Sequence, residues 1–129
     1  MYEDDIKLAK EARLFAHVPQ SKFQVGAALR TKDDKVYTGC NIENHGIQGI
    51  CAERVSFSKA LSEGERQFKC ITVVGSNEGE EPINECMPCG YCRQFMSEFV
   101  DKDFKIYTIQ NDKVKEYTIK ELLPYSFKF

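Results

Sequence analysis

The sequence predicts an α/β fold in three layers (α/β/α), with helices on the faces of a mixed five-stranded sheet, and three observations carry that prediction. The elements read along the chain follow the order α-β-β-α-β-α-β-β, which suits helices layered on a mixed sheet. One run, C-I-T-V-V-G at 70–75, is apolar without a break, as a strand covered on both faces requires. The length of 129 residues is that of one average domain, so a single unit over 1–129 is expected.

Each element has its own reason. Asp4 and Asp5 suit the start of a first helix whose apolar positions Leu8, Ala12 and Phe15 repeat at helical spacing, and Pro19 closes it. Phe23, Val25, Ala27 and Leu29 then alternate with their neighbours at the period of a strand. A turn at Asp33-Asp34 returns the chain through K-V-Y-T-G-C-N-I, giving a hairpin. Residues 51–63 are rich in helix formers, with Phe57, Ala60 and Leu61 apolar and Gly64 as a stop. The polar stretch S-N-E-G-E-E-P-I-N-E after the apolar strand reads as a loop. Pro88 suits the first turn of a third helix, with Phe95, Met96, Phe99 and Val100 as its buried stripe. Two β-rich runs, F-K-I-Y-T-I and V-K-E-Y-T-I, and a short E-L-L-P tail complete the chain.

Composition narrows the function. A net charge of -2 provides no basic excess to neutralise a phosphate backbone, so nucleic acid is not an expected partner. The N-terminus is charged and no apolar run approaches the roughly 18 residues of a membrane span, so a soluble, cytoplasmic protein without membrane association is expected. The six cysteines then point to metal or catalysis rather than to a disulfide framework. Cys40 and Cys70 lie in apolar, strand-like stretches and read as small core residues.

The chemistry concentrates in two places. Cys89 and Cys92 sit three residues apart at a helix start, where both sulfurs can face one ion, and Cys51 opens another helix. Helix N-termini carry partial positive charge and favour thiolates, so two of them meeting over a sheet can hold three sulfurs around one Zn²⁺. Three protein ligands leave a fourth position open, the mark of a catalytic zinc. Glu53 lies two residues beyond Cys51 and is the candidate proton carrier at that position. Three thiolates on a dication carry a net charge of about -1, which Arg54 is placed to offset by hydrogen bonding to the sulfurs. Arg93 either adds to this or makes a surface salt bridge.

C-A-E-R at 51–54 with P-C-G-Y-C-R-Q at 88–94 resembles the zinc-site signature of the cytidine deaminases. The all-cysteine form resembles the small homotetrameric nucleoside enzymes, and S-K-F-Q-V-G-A-A-L, T-G-C-N-I-E-N and E-L-L-P resemble further family segments. The resemblance implies a cytidine deaminase-like fold, one zinc per subunit and hydrolytic deamination of cytidine and 2'-deoxycytidine with release of ammonia, as in pyrimidine salvage. It implies Cys51, Cys89 and Cys92 as ligands and Glu53 as the group moving protons to the base and the departing ammonia. Asn41 and Glu43 would bind the ribose 3'-hydroxyl, Phe23 would pack on the pyrimidine, and the Ala52 backbone would hydrogen-bond the base. Phe127 would enter a neighbouring subunit's site in a homotetramer.

The chain also departs from that pattern. Gln20 stands where the family usually has a Tyr, and the segment between Asn41 and Cys51 is about one residue short and lacks the family's aromatic residue. The loop before Pro88 is longer and acidic, Met87 and Tyr91 replace smaller residues, and Cys86 has no family counterpart. His45 reads either as a surface or interface residue or as a substrate contact. Three other readings stand beside the main one: a deaminase of blasticidin S or another cytosine-nucleoside analogue, a closed structural zinc site built from Cys51, Cys86, Cys89 and Cys92, and part of an iron-sulfur run that lacks its final Cys-Pro.

Overall fold

The structure is a computed structural model describing residues 2–46 and 49–129. Helix α1 (Tyr2–Arg13) leads into a hairpin of β1 (Phe23–Thr31) and β2 (Val36–Cys40), followed by α2 (Ala52–Ser62) and β3 (Phe68–Asn77). Then come α3 (Gly90–Ser97), β4 (Lys105–Gln110), β5 (Lys113–Thr118) and a single turn, α4 (Ile119–Leu122). Among the described residues the strands form one five-stranded sheet in the order β2-β1-β3-β4-β5. Only β3 and β4 run parallel, and α3 lies in the connection between them, as a parallel pair requires.

The register explains the layers. On one face Val25, Ala27 and Leu29 of β1 join Ile71 and Val73 of β3 and Ile106 of β4 beneath α2 and α3. The rings of Phe68, Phe95, Phe99 and Phe104 all lie 5.0–6.4 Å from that of Phe57, which anchors α2 at the centre of this core. The opposite face presents Ala28, Val74 and Ile109 to Ala9 of α1. Both helices come very close to the sheet: a Cβ on Gly26 would fall 1.9 Å from the Ala9 carbonyl oxygen, and one on Gly39 2.5 Å from that of Ala52. These glycines let a helix backbone lie directly on a strand.

Three sequence expectations change. The buried face of α1 is Asp5, Ala9 and Arg13, while Phe15, beyond the helix end, is 82% exposed. Asp5 and Arg13 are buried because strands supply partners: Arg30 donates to both Asp5 carboxylate oxygens at 2.5 and 3.0 Å, and Arg13 Nη1 donates to Ser76 Oγ at 2.8 Å. Helix α3 ends at Ser97, so Phe99 and Val100 pack from beyond it, and Cys92 and Met96 form its buried pair. Its N-cap is Cys89, which puts Pro88 just outside the helix rather than in its first turn.

The β1 N-terminus, the β2 C-terminus and the β3 C-terminus share one end of the sheet, since Phe23 pairs with Asn77 and Gly26 with Cys40. The segments leading to α2 and α3 leave from that end, and both helices begin above it. Residues predicted for chemistry therefore converge there.

Candidate metal centre and active site

Cys51 and Cys89 are the N-caps of α2 and α3, each with an extended backbone (φ -81°, ψ 154° and φ -69°, ψ 169°) and a side chain making no cap hydrogen bond. Their sulfurs are thus free to face each other across the two helix starts, and Cys92, one turn into α3, points the same way. Cys51 Sγ lies 3.7 Å from Cys89 Sγ, and Cys89 Sγ lies 3.6 Å from Cys92 Sγ. All three sulfurs fall within 4.8 Å of one another. Sulfurs bound tetrahedrally at the zinc–sulfur distance of about 2.3 Å stand about 3.8 Å apart, whereas a disulfide bond is about 2.05 Å long. The spacing and the donor set fit a zinc ion.

The structure separates the open site from the closed one. Cys86 lies outside that sulfur cluster, and its Sγ would be 2.7 Å from a Cβ on Gly75. It packs against the main core, and burial pushes its thiol up to about 12. Gly75 leaves space for both this sulfur and the Phe23 ring, which a Cβ there would meet at 3.0 Å.

Charge is arranged around the cluster. A hydrogen bond from Cys92 lowers the Cys51 thiol to about 5, with Arg54 and Cys89 acting in the same direction, so Cys51 ionises first. The same interaction, joined by burial, raises Cys92. Arg54 Nη2 lies 3.6 Å from Cys51 Sγ and 3.4 Å from the Gly49 carbonyl oxygen. Glu53 is 3% exposed, and burial pushes its carboxyl up to about 7, with the Cys51 charge adding to the rise. Its charge in turn raises Cys86 and Cys92. A carboxyl near 7 can take and return a proton close to neutral pH.

A cleft of about 390 Å³ opens beside the cluster, lined among others by Gln20, Asn41, Glu43, Cys51, Arg54 and Tyr91. Asn41 is fixed across the sheet end, accepting from Val25 N at 2.9 Å and donating to the Phe23 carbonyl at 3.0 Å. One Glu43 carboxylate oxygen accepts from Gln20 N (3.0 Å) and Ser21 N (3.2 Å). Gln20 also donates through its side chain to the Asn44 carbonyl at 3.2 Å, so this unexpected residue braces the segment that carries Glu43. Ala52 is the first residue of α2, where backbone N–H groups have no intrahelical acceptor. Phe23 is 37% exposed at the start of β1.

Other predicted residues lie elsewhere. Phe127 stacks edge-on against Phe129 at 5.0 Å and lines a separate groove with Ser97 and Glu98. His45 is exposed and is not among the cleft-lining residues; part of its segment, Ile47 and Gln48, lies outside the described residues. Arg93 donates to neither sulfur nor carboxylate: its Nε reaches the Pro88 carbonyl and its Nη1 the Leu122 carbonyl, both at 2.8 Å, which ties α4 to the metal loop. Sequence reasoning missed Glu85, which accepts from Thr108 Oγ1 at 2.6 Å and Tyr117 Oη at 2.5 Å and so pins the loop carrying Cys86 and Cys89 to β4 and β5.

Residues 2–108 match the family described as the cytidine and deoxycytidylate deaminase zinc-binding region. The chain belongs to this deaminase family. A cytidine deaminase of Halalkalibacterium halodurans is 47% identical over 126 residues, covering 95% of this chain and 90% of its own length. The crystal structure of a cytidine deaminase from Burkholderia pseudomallei superposes with a TM-score of 0.89 at 38% identity, covering 98% of this chain and 99% of that one. A blasticidin-S deaminase of Bacillus cereus is more distant, 30% identical over 131 residues and covering 97% and 93% of the two chains. The mixed five-stranded sheet of this deaminase is thus the fold of its solved relatives, and the zinc-binding character of the matched region agrees with the three-sulfur cluster.

Proposed function

We propose that this single-domain chain, residues 1–129, hydrolyses cytidine and 2'-deoxycytidine to uridine and 2'-deoxyuridine with release of ammonia, using one zinc ion held by Cys51, Cys89 and Cys92. The observation that carries the reading is the triad of sulfurs at zinc-like spacing beside a buried carboxyl poised near neutrality. When bound, zinc supplies a Lewis acid that makes water a nucleophile at neutral pH. Glu53 accepts the proton of the attacking water, delivers it to N3 of the base and then moves a proton to the departing ammonia, ending in its starting state. Burial keeps this carboxyl away from bulk water, so its protons go to substrate rather than to solvent. Arg54 offsets the negative charge of the thiolates.

The remaining residues bind and orient. Phe23 packs on the pyrimidine ring and the Ala52 backbone hydrogen-bonds the base. Asn41 and the carboxylate of Glu43 take the sugar hydroxyl, both already oriented by protein hydrogen bonds. The protein works as a homotetramer in the cytoplasm, in pyrimidine salvage. Association is supported by a surface groove where Leu8, Ala12, Phe15 and Cys40 lie beside Glu11, Thr38 and Lys59, and Phe127 completes a neighbouring subunit's site. Among the described residues no helix is long and apolar enough to cross a membrane, and the acidic net charge favours free nucleosides over nucleic acid as substrate.

The test is ammonia release by zinc-loaded protein from cytidine, deoxycytidine and blasticidin S in parallel. Turnover of the two nucleosides is expected. Turnover confined to blasticidin S would transfer the assignment to drug deamination, and no turnover by a zinc-loaded protein would refute both.

A further inference from the structure

Tyr91 is the second residue of α3, between the two cysteines of the C-G-Y-C stretch, and its ring reaches across to α2. The Arg54 guanidinium carbon lies 4.1 Å from the centroid of that ring. The same guanidinium turns Nη2 toward Cys51 Sγ and the Gly49 carbonyl, while its buried Nε has no hydrogen-bond partner among the described residues. A guanidinium so placed has Cys51 and Gly49 at one tip, interacts with the Cys92 sulfur as well, and rests on an aromatic face. The ring's negative face attracts the cation and compensates in part for the missing acceptor. Arg54 is therefore clamped from both helix starts: by Cys51 and Gly49 at the start of α2 and by Tyr91 at the start of α3.

We propose that Tyr91 is a positioning residue for the zinc site: its ring holds the Arg54 guanidinium against Cys51 and so slows loss of the metal. A sulfur engaged by a fixed donor keeps its orientation toward the ion, and partners of metal ligands typically contribute 10–100-fold to metal affinity. A cation–π contact at a partly exposed position is worth roughly a two- to fivefold share of that effect. The Tyr91 hydroxyl has no part in this, since the ring face makes the contact. The inference rests on the zinc-site reading.

The experiment uses zinc-loaded protein carrying Tyr91→Phe or Tyr91→Leu, each alone and together with Arg54→Gln. Zinc content is measured first, then the rate of zinc transfer to a chromogenic chelator, and KM and kcat for cytidine alongside. Tyr91→Leu should speed zinc transfer about two- to fivefold, Tyr91→Phe should behave as the native protein, and Tyr91→Leu should add nothing once Arg54 is Gln. A native transfer rate in Tyr91→Leu would overturn the inference, whether or not KM rises. So would the same acceleration in the Arg54→Gln background, which would mean that the ring acts without the guanidinium. A native protein that binds no zinc would overturn the zinc-site reading and the inference together.

Discussion

Replacing Glu53 by Gln separates what its burial does for catalysis from what it does to stability. The amide keeps the shape of the carboxyl but cannot carry a proton. General acid–base catalysis contributes about 10²–10⁴-fold for a positioned group, and in the proposed reaction Glu53 serves more than one proton transfer, so turnover of cytidine should fall by at least about 10³-fold with zinc retained. Stability should move the other way. Burial raises the carboxyl from 4.5 to about 7, so at high pH the folded protein must hold a charge that the unfolded chain hydrates freely. Below 4.5 both states are protonated and no ionic penalty exists. As pH rises from 4.5 to 7 the folded state binds more protons than the unfolded one, stability falls, and above 7 the loss levels off. At about 1.4 kcal/mol per tenfold change, the loss reaches up to ~3 kcal/mol at pH 8 and stays under about 1 kcal/mol at pH 5. Urea unfolding of zinc-depleted native and Glu53→Gln proteins at the two pH values measures this directly. The variant should be the more stable at pH 8 and nearly equal at pH 5. A variant with undiminished turnover, or one whose stability advantage over the native protein is no larger at pH 8 than at pH 5, would refute the reasoning.

Other substitutions test the supports of the site. Cys86→Ser should keep full zinc content and most activity, because its sulfur lies outside the cluster; loss of metal on elemental analysis would restore the four-sulfur site. Glu85 is held below its usual carboxylate range by hydrogen bonds from Thr108 and then Tyr117. Its contribution is present above the ordinary carboxylate value and lost as pH falls through the lowered one, so Glu85→Gln should flatten the acid side of a melting-temperature profile. Asp5→Ala should destabilise by up to about 3–5 kcal/mol, since it leaves the buried Arg30 guanidinium with only its longer 3.5 Å contacts to Asp34; a calorimetric loss below about 1 kcal/mol would show that water or Asp34 replaces the carboxylate.

The parts of the fold legible in the sequence were those written in short-range patterns. Cys51 could be placed at a helix start because helix formers follow it directly, Cys89 because Pro88 marks the start of the next helix, and the β1–β2 hairpin followed from alternation on either side of Asp33-Asp34. The α1 face was misread because periodicity counts apolar residues only. Asp5 and Arg13 are buried there by partners 25 and 63 residues away, Arg30 and Ser76, which no local window contains. In α3 the stripe of Phe95, Met96, Phe99 and Val100 runs past the helix end at Ser97, because aromatic residues pack on Phe57 whether or not the backbone stays helical. Within the site, the three clustered cysteines and Glu53 were marked by residue type and spacing. The Arg54–Tyr91 stack, the Glu85 anchor and the Gln20 brace depend on how separate segments meet, and only the three-dimensional structure brings them together.

The measurement that tests the central claim most directly is conversion of cytidine in water enriched in heavy oxygen, followed by mass spectrometry of the pyrimidine product and assay of ammonia. The account predicts uridine carrying the solvent's oxygen at C4, with ammonia released in equal amount by the zinc-loaded native protein and almost none by Glu53→Gln. Uridine without the label, or no uridine from a protein that holds its zinc, would contradict hydrolysis at this site.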